Sequence, residues 1–254
     1  MGSGVSISVI TATWNCANTL TDCLQSVADQ DYKNREHIIV DGASTDGTIE
    51  LINSRINQIS MFMSEPDTGI YDALNKGLRL ANGDIVGFLH ADDIFAHRSV
   101  LSRVSEAFRD DRVCAVYGDL EYVQQGDLTK VVRRWQSREF RQRDLKWGWM
   151  PAHPTLYVRR EWYSRIDGFD SSYRISADYF SVLKLFTQPD FHAEYIPDVL
   201  VKMRLGGASN KSLRAIARKT REDWRALRSC NIGRVGAACA ITWKNLSKLP
   251  QFLP

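Results

Sequence analysis

Short apolar runs alternate with amphipathic segments along the first half of the chain. Residues Ser6–Thr13 are rich in β-branched and apolar side chains, which is typical of a strand buried on both faces of a parallel sheet. In the segment Leu20–Val27 the apolar residues recur at the spacing of one helix face. The two segments together predict one β-α unit.

The same pattern repeats several times up to residue 118. The predicted strands and helices that follow the first unit are, in order, strand His37–Val40, helix Gly47–Arg55, strand Ser60–Ser64, helix Ile70–Ala81, strand Ile85–Leu89, helix Ser99–Phe108 and strand Val113–Tyr117. Regular alternation of this kind favours an α/β fold with a mostly parallel, doubly wound sheet and right-handed crossovers. We assign this parallel α/β part of the fold to residues 5–118.

The regular alternation of strands and helices ends after residue 118. Glu121–Gln124 and Thr129–Trp135 flank a Gln-Gly-Asp turn and predict a β-hairpin. Residues 119–207 then mix short strands with helices, including a helix at Ala177–Phe186, and we expect this mixed region to pack on the first half. Residues 208–254 predict a basic, amphipathic helical segment whose apolar stripe contains Leu213, Ile216, Ala217, Trp224 and Leu227.

Composition places the chain among ordinary globular proteins. Its 254 residues, 44% hydrophobic and 25% charged, can bury one sizeable core, whereas two full domains would be crowded. No stretch approaches the roughly 20 apolar residues of a membrane-spanning helix, and the start lacks the basic and apolar regions of a signal peptide. We therefore expect a cytosolic protein.

The basic residues are concentrated near the C-terminus. Residues 202–254 carry 12 Lys and Arg against 2 acidic residues, a balance of +10, so the net charge of +3 leaves −7 for residues 1–201. Such a segment forms a solvated helix face, a cover for the sheet, a dimer interface, or a surface for anionic lipid, where each basic side chain contributes about 1 kcal/mol. Nucleic acid is a weaker option, because no recognition motif accompanies the charge.

Carboxylates are concentrated just after the predicted strands, where ligands bind in sheets of this type. They lie in Asp41-Gly42-Ala43-Ser44, in Glu65-Pro66-Asp67 and in His90-Ala91-Asp92-Asp93, while the first strand ends in Thr13-Trp14-Asn15. A single Asp after a strand is most often a helix cap, but carboxylates after successive strands are harder to explain in that way.

The adjacent pair Asp92-Asp93 predicts a metal site. Two neighbouring carboxylates repel each other unless a cation or a network of donors compensates, and oxygen ligands with open positions suit Mg²⁺ or Mn²⁺ bridging to a diphosphate. The five cysteines and five histidines are dispersed without a C-x-x-C pair or paired Cys/His ligand spacing, which argues against disulfides and zinc. A helix cap or a solvated turn is the alternative for the pair.

Four sequence motifs resemble the nucleotide-sugar-binding half of family 2 glycosyltransferases, enzymes of the GT-A fold. The motifs are VITATWN, IIVDGASTDGT, SEPDTGIYDALNKG and GDIVGFLHADD, in this order within residues 7–93. The second half is similar more loosely, through Ala152-His153-Pro154, Gly168-Phe169-Asp170, Ala177-Asp178-Tyr179 and Gly206-Gly207-Ala208-Ser209. The resemblance implies a GT-A nucleotide-diphospho-sugar transferase fold with a mixed acceptor-side region.

The resemblance also implies roles in donor binding for five residues. Trp14 would stack on or flank the nucleobase, and Thr13 would line the same pocket. Asp41 would contact the base or the ribose, Asp72 would close the base site, and Asp92 would point towards the ribose.

By the same resemblance, Asp93 would bind the metal that grips the diphosphate, and Asp178 would be the catalytic base. Two positions depart from the family pattern, because His90 stands where an acidic or amide residue is more usual and Ala177 where Glu is often found. His153 is either an acceptor-orienting residue or a structural histidine beside Pro154.

These roles agree with the chemistry of glycosyl transfer. The acceptor hydroxyl must lose its proton as it attacks the anomeric carbon, while the departing nucleoside diphosphate gathers negative charge. A carboxylate meets the first need and Mn²⁺ or Mg²⁺ the second, and a single carboxylate opposite the leaving group inverts the anomeric configuration. The Q-x-x-R-W signature of processive members is missing, which predicts addition of a single sugar.

We therefore expect an inverting, metal-dependent transferase that uses a nucleoside diphosphate sugar, with UDP as the favoured nucleotide. The basic C-terminal segment favours a glycan or lipid-linked acceptor in cell-surface polysaccharide assembly, at the inner face of the membrane, with Trp224, Trp243 and Phe252 at the interface. A nucleotidyltransferase and a non-catalytic sugar-nucleotide-binding protein are the alternatives. A dinucleotide-dependent redox enzyme is disfavoured, since no G-x-G-x-x-G is present.

Overall fold

The computed structural model describes residues 4–206, 213–230 and 232. The strands are β1 (Ile7–Thr13), β2 (Arg35–Asp41), β3 (Met61–Ser64), β4 (Ile85–Phe88), β5 (Asp93–Phe95), β6 (Ala115–Gln124), β7 (Asp127–Trp135), β8 (Tyr157–Arg159) and β9 (Ala193–Arg204). The helices are α1 (Ala17–Ala28), α2 (Thr48–Ser54), α3 (Ile70–Leu80), α4 (Val100–Ala107), α5 (Arg160–Arg165), α6 (Ala177–Phe186) and α7 (Leu213–Ser229). Short 3₁₀ turns lie at Ile56–Gln58, Gln142–Trp147 and His153–Thr155.

The first four strands form the predicted parallel sheet, in the order β3-β2-β1-β4. The register places Thr13 opposite Asp41 and Asp41 opposite Ser64, so the last residues of three strands are level. The carboxyl ends of these strands therefore share one edge of the sheet, where the loops after β1, β2 and β3 meet.

The second half of the sheet is mixed, as expected for residues after 118. β8 lies between β4 and β6 and is antiparallel to both, whereas β9 runs parallel to β6 and carries β5 at the end of the sheet. The predicted hairpin is confirmed as β6 and β7, but its first strand begins at Ala115, so the segments predicted separately at 113–117 and 121–124 are one strand.

The core lies on both faces of the sheet because successive side chains of its inner strands point to opposite sides. Ile10 and Ile38 pack in one cluster with α3 and α6, whereas Val9 and Ile39 pack in the other with α1 and α4. The predicted apolar face of α1 is confirmed, since Leu20, Cys23, Leu24 and Val27 are all buried.

α7 confirms only part of the predicted C-terminal stripe. Leu227 is buried with Ala226, whereas Ile216 and Ala217 are exposed and Trp224 is 39% exposed. The buried residues lie in the C-terminal half of the helix, which packs against α6 and the core. Trp243 and Phe252 lie outside the described residues. None of the described helices has the length and apolar character needed to cross a membrane.

Four of the five cysteines lie in the described part of the chain, and all four are free thiols: Cys16, Cys23, Cys114 and Cys230. The expectation that the cysteines do not form a disulfide framework holds for these positions.

His37 on β2 makes the stability of the fold dependent on pH. Its ring is buried, with Nε2 3.0 Å from Thr11 Oγ1, and burial together with the nearby Arg35 lowers its pKa from 6.5 to about 3. A base whose pKa is depressed on folding stabilises the protein above its ordinary pKa, and that stability is lost as the pH falls towards the folded value.

We therefore expect the wild-type protein to lose about 2–3 kcal/mol more unfolding free energy between pH 7 and pH 4.5 than His37→Gln, which does not titrate in this range. Urea unfolding of both proteins at the two pH values measures the difference. Parallel losses in the two proteins would show that His37 is not the titrating group.

Candidate active site

Asp41 organises the ends of the first three strands. Its carboxylate is fully buried and accepts four hydrogen bonds, from the hydroxyls of Thr13 (2.9 Å), Ser44 (2.5 Å) and Ser64 (2.9 Å) and from the Ser44 backbone N–H (2.9 Å). Because a carboxylate has about four lone-pair sites, these donors occupy all of them. Asp41 therefore fixes the shape of the loops, and its predicted contact with the base or ribose stays a prediction.

Trp14 lies at the mouth of this region, just after β1. The indole is 68% exposed, and a Cβ placed on Gly42 would lie 3.3 Å from its Cδ1 and 2.5 Å from Asp67 Oδ2. Gly42 therefore lets the loop after β2 pass close to both side chains, and a larger residue would have to displace the Asp67 carboxylate. An exposed indole beside a glycine and a carboxylate offers a flat apolar face with an acceptor next to it.

The loops around Trp14 contain two strained residues. Asn15 and Ala43 have φ values of +47° and +59°, in the left-handed region that side chains other than glycine rarely adopt. Hydrogen bonds hold Asn15 there, since its backbone N–H donates to Ser44 Oγ and its side-chain oxygen accepts from the Thr45 N–H, both at 2.8 Å. Strain of this kind is concentrated at functional sites, which supports a role for these loops.

Lys76 on α3 holds the loop after β3. Its Nζ lies 2.8 Å from Glu65 Oε1, donates to the Pro66 carbonyl at 2.9 Å and lies 3.8 Å from Asp72 Oδ2. Asp72 also accepts a hydrogen bond from the Thr68 N–H. Asp72 therefore lies beside the loop that carries Asp67. This position agrees with the prediction that Asp72 closes the base site.

Asp178 lies at the start of α6, within electrostatic range of two histidines. Its charge acts on both His90 and His153, and Asp92 also acts on His90. Burial lowers the pKa of His90 and lowers that of His153 to about 4, although the nearby carboxylates oppose both shifts. The site thus combines two carboxylates with two imidazoles that are neutral at physiological pH.

Tyr71 on α3 orients Asp178. Its Oη donates towards the Ile175 carbonyl at 2.6 Å and towards Asp178 Oδ1 at 3.2 Å, sharing one proton between them. Burial, together with Asp178, raises the pKa of Tyr71, so the phenol remains a donor. This contact joins α3, which borders the loop after β3, to the helix that carries Asp178.

His153 lies in the same region with one ring nitrogen unsatisfied. The ring stacks on Phe88 with centroids 5.7 Å apart and contacts Phe169 edge to face at 5.8 Å. Its Nε2 is buried and makes no hydrogen bond to any described residue. Aromatic packing fixes the ring and encloses Nε2 in the protein.

Asp93, predicted to bind the metal, lies inside the protein on β5. It has 0% exposure, and neither carboxylate oxygen makes a hydrogen bond with the described residues at normal geometry. Burial and the neighbouring charge of Asp92 raise its pKa well above the ordinary value, although Arg204 partly opposes the shift. The neutral acid is therefore favoured, and Asp92, which is only partly buried, is the carboxylate that a ligand can reach.

Arg204 on β9 fixes the backbone that carries Asp92. This buried guanidinium donates to the Asp92 carbonyl at 2.7 Å through Nη1 and to the Asp22 carboxylate through Nη2. Within the described residues no group of three or more His, Cys, Asp or Glu side chains is placed to hold a metal ion. Any cation at Asp92 would therefore need most of its ligands from substrate and water.

The structure brings together most of the predicted site residues but separates one of them. Thr13 and Asp41 end neighbouring strands, with Trp14 just after Thr13, and Asp72 contacts the loop after β3. Asp92 and Asp178 both act on His90, whereas the side chain of Asp93 is enclosed in the core. Sequence reasoning did not assign roles to Tyr71, Lys76 or Asp67. All three fall within the motif SEPDTGIYDALNKG, which is therefore the sequence signal for them.

Comparison with known proteins identifies relatives of this chain. The family model described as "Glycosyl transferase family 2" matches residues 8–167. The "PGL/p-HBAD biosynthesis glycosyltransferase" of Mycobacterium bovis is 30% identical over 208 residues, which cover 80% of this chain and 78% of that protein. The "Chondroitin synthase" of Pasteurella multocida is 29% identical over 181 residues, which cover 70% of this chain but only 18% of that protein.

Two solved structures with similar folds contain bound sugar nucleotides. Staphylococcus aureus TarS 1–349 in complex with UDP-GlcNAc has a TM-score of 0.73 and 16% identity, covering 96% of this chain and 72% of that one. A mannosyltransferase from Pyrobaculum calidifontis in complex with GDP-Man and Mn²⁺ has a TM-score of 0.68 and 21% identity, covering 98% and 73%. At these identities the likeness concerns the fold.

Proposed function

This chain belongs to glycosyl transferase family 2 and has the GT-A fold, and on that premise we propose that it transfers one sugar from a nucleoside diphosphate donor to an acceptor hydroxyl, with inversion at the anomeric carbon. It is a glycosyltransferase, as its relatives are, so nucleotidyl transfer and a purely binding role, the other classes left open by the sequence, have no support.

The position of Asp178 is the observation that carries this proposal. Its carboxylate is oriented by Tyr71 and acts on His90 and His153, and His90 follows the carboxyl end of β4. In the proposed reaction Asp178 accepts the proton of the acceptor hydroxyl as that oxygen bonds to the anomeric carbon and the bond to the diphosphate breaks. Attack opposite the leaving group inverts the configuration.

The donor would bind across the loops that follow β1, β2 and β3. The exposed Trp14 supplies a face for the nucleobase, Asp67 supplies an acceptor beside it, and Thr13 and Asp41 hold the floor of the pocket. Asp72 supports the neighbouring loop with Lys76. UDP is the favoured nucleotide, supported by the complex of TarS with UDP-GlcNAc at the same fold.

The donor set near Asp92 fits a magnesium or manganese ion of the kind that substrate phosphates help to hold. Such ions are often bound through one or two carboxylates, with waters and phosphate oxygens completing the shell. Asp92 would supply that carboxylate, and the bound ion would neutralise charge on the departing diphosphate. The Mn²⁺ in the mannosyltransferase complex supports this assignment. Asp93 would then support the loop from inside.

The acceptor we propose is a glycan or lipid-linked sugar held at an anionic membrane surface, as in cell-surface polysaccharide assembly. Two basic surfaces support it. The outer side of α7 exposes Arg214, Arg218, Arg221 and Arg228 near Trp224, and residues 130–147 carry seven Lys and Arg against two acidic residues. Basic side chains beside an exposed Trp favour a peripheral site on anionic lipid.

Trp14→Ala is expected to weaken nucleotide binding by about 5–150-fold, since a base stacked on an aromatic side chain contributes about 1–3 kcal/mol. Titration calorimetry with the preferred nucleotide measures the change. Trp147→Ala, which removes another exposed indole far along the chain, is the matched control and should bind as the wild type does. Equal affinities for Trp14→Ala and the wild type would remove Trp14 from the base site.

The stereochemistry of the product tests the proposed reaction. The protein is incubated with UDP-, GDP- and dTDP-sugars and an alkyl glycoside acceptor in anionic vesicles, and the anomeric configuration of the new bond is read by NMR. We expect one sugar per acceptor, with the configuration opposite to that of the donor. Retention of configuration would exclude the mechanism in which Asp178 acts as the only carboxylate base.

A further inference from the structure

The segment that leads into α6 is held by a carboxylate from a distant part of the chain. Glu222 on α7 accepts hydrogen bonds from three consecutive backbone N–H groups, those of Arg174 (3.2 Å), Ile175 (2.9 Å) and Ser176 (3.0 Å). Successive N–H groups that point to one side form an anion-binding nest. Here the anion is the Glu222 side chain, and Asp178 lies two residues after Ser176.

The N-terminus of α6 depends on this contact because it lacks a cap of its own. Ser176 is the N-cap residue, but its side chain makes no capping hydrogen bond, and its buried Oγ has no partner among the described residues. The three N–H groups belong to the N-cap residue Ser176 and the two residues before it, so Glu222 fixes the backbone that enters the helix. Hydrogen bonds from N–H groups to a carboxylate are stronger than those between neutral groups.

The peptide groups next to Ile175 are fixed from two sides. Glu222 accepts the hydrogen bond of the Ile175 N–H at 2.9 Å, and Tyr71 donates to the Ile175 carbonyl at 2.6 Å while also contacting Asp178. The short loop before Asp178 is therefore held between α3 and α7.

A second α7 residue holds the beginning of the same loop. Arg225 donates to Ser172 Oγ at 2.9 Å, and its guanidinium lies 4.4 Å from the centroid of the Tyr173 ring. The Arg225 guanidinium also lies 3.9 Å from Asp170. Residues 170–176 are thus attached to α7 at both ends, and Glu222 makes the bonds nearest to Asp178.

We propose that Glu222 is a positioning residue for sugar transfer, which fixes Asp178 by filling the backbone nest at residues 174–176. The proposal rests on the function proposed above, in which Asp178 is the base. Without the carboxylate, three N–H groups just before the helix lose their acceptor, and the loop that leads to Asp178 loses one of its supports. Trp14 and Asp67, which would contact the base, lie on the loops after β1 and β3, so we expect nucleotide affinity to be kept.

The test compares Glu222→Ala and Glu222→Gln in the full chain with Ala217→Ser, a conservative change at an exposed position of the same helix. For Glu222→Ala we expect kcat to fall by about 10–100-fold, as misplaced catalytic groups commonly cause, with nucleotide affinity unchanged. Glu222→Gln keeps an oxygen that accepts from the N–H groups and should recover part of the rate. Ala217→Ser should match the wild type.

Hydrogen exchange of the same proteins separates positioning from general stability. Faster exchange in Glu222→Ala confined to residues 174–180 is expected, with the rest of the chain protected as in the wild type. A rate equal to that of the wild type, or a loss of rate with equally weakened nucleotide binding, would overturn the proposal. If Glu222→Ala does not fold, Glu222→Gln decides by the same criteria. If the wild-type protein transfers no sugar, the proposed function is refuted instead. Hydrogen exchange would still show whether Glu222 holds the loop before Asp178.

Discussion

Asp178→Asn is expected to lower the rate of sugar transfer by about 10²–10⁴-fold, the range by which a positioned general base accelerates a reaction. The amide has nearly the shape of the carboxylate, and its oxygen still accepts the hydrogen bond from Tyr71 Oη, which lies 3.2 Å from Asp178 Oδ1. The substitution therefore removes the proton acceptor while leaving the helix start in place. Initial rates of nucleoside diphosphate release, with the best donor and an acceptor, measure the effect.

Donor binding separates this explanation from a distorted site. Because Asn keeps the shape of Asp and its contact with Tyr71, Asp178→Asn should bind the nucleotide within about twofold of the wild type, well under the tenfold that corresponds to 1.4 kcal/mol. Tyr71→Phe is a useful companion, because it removes the orienting hydroxyl but keeps the carboxylate, and it should cause a smaller loss of rate. Wild-type turnover in Asp178→Asn would exclude Asp178 as the base.

Asp92→Asn is expected to weaken metal-dependent nucleotide binding by about 10–100-fold or more, since even partners outside the first coordination shell of a metal have effects of this size. Asp93→Asn should bind within about twofold, because the buried Asp93 favours its neutral form, which Asn resembles in shape and charge. The two neighbouring positions thus form a matched pair with opposite expected results. Titrations with Mn²⁺ and with EDTA measure both.

The opposite result for these two variants would support the metal-binding role that the sequence predicts for Asp93. If Asp93→Asn lost metal-dependent binding and Asp92→Asn kept it, the role that the sequence predicts for Asp93 would be correct and the buried position would have to open when the donor binds. Thermal unfolding of both variants is the control, since a variant with an altered core would lose nucleotide binding with and without Mn²⁺.

The sequence predicted the features that depend on local pattern. The alternation of buried strands and amphipathic helices up to residue 118 was confirmed because each element is defined by its own periodicity and the parallel register follows from the connections. The cluster formed by Thr13 and Asp41 follows for the same reason, since both residues end neighbouring parallel strands.

What the sequence could not predict depends on contacts between distant segments. The direction of the Asp93 side chain is set by the pairing of β5 with β9, where Asp93 lies opposite Met203, and no spacing within HADD encodes that pairing. The bond from Tyr71 to Asp178 joins residues 107 positions apart, and Glu222 reaches Ser176 across 46 positions. In the sequence Glu222 is one of two acidic residues in a basic segment, and only the fold brings it to the backbone N–H groups of residues 174–176.

The most direct test of the central claim, that the strand ends around Trp14 and Asp92 form a metal-dependent donor site, is calorimetric titration of the wild-type protein with UDP, GDP and dTDP. Each nucleotide is titrated with Mn²⁺ and again with EDTA. The account predicts that one nucleotide, expected to be UDP, binds with Mn²⁺ and loses most of its affinity in EDTA. Binding of none of the three with Mn²⁺, or binding that EDTA leaves unchanged, would contradict it.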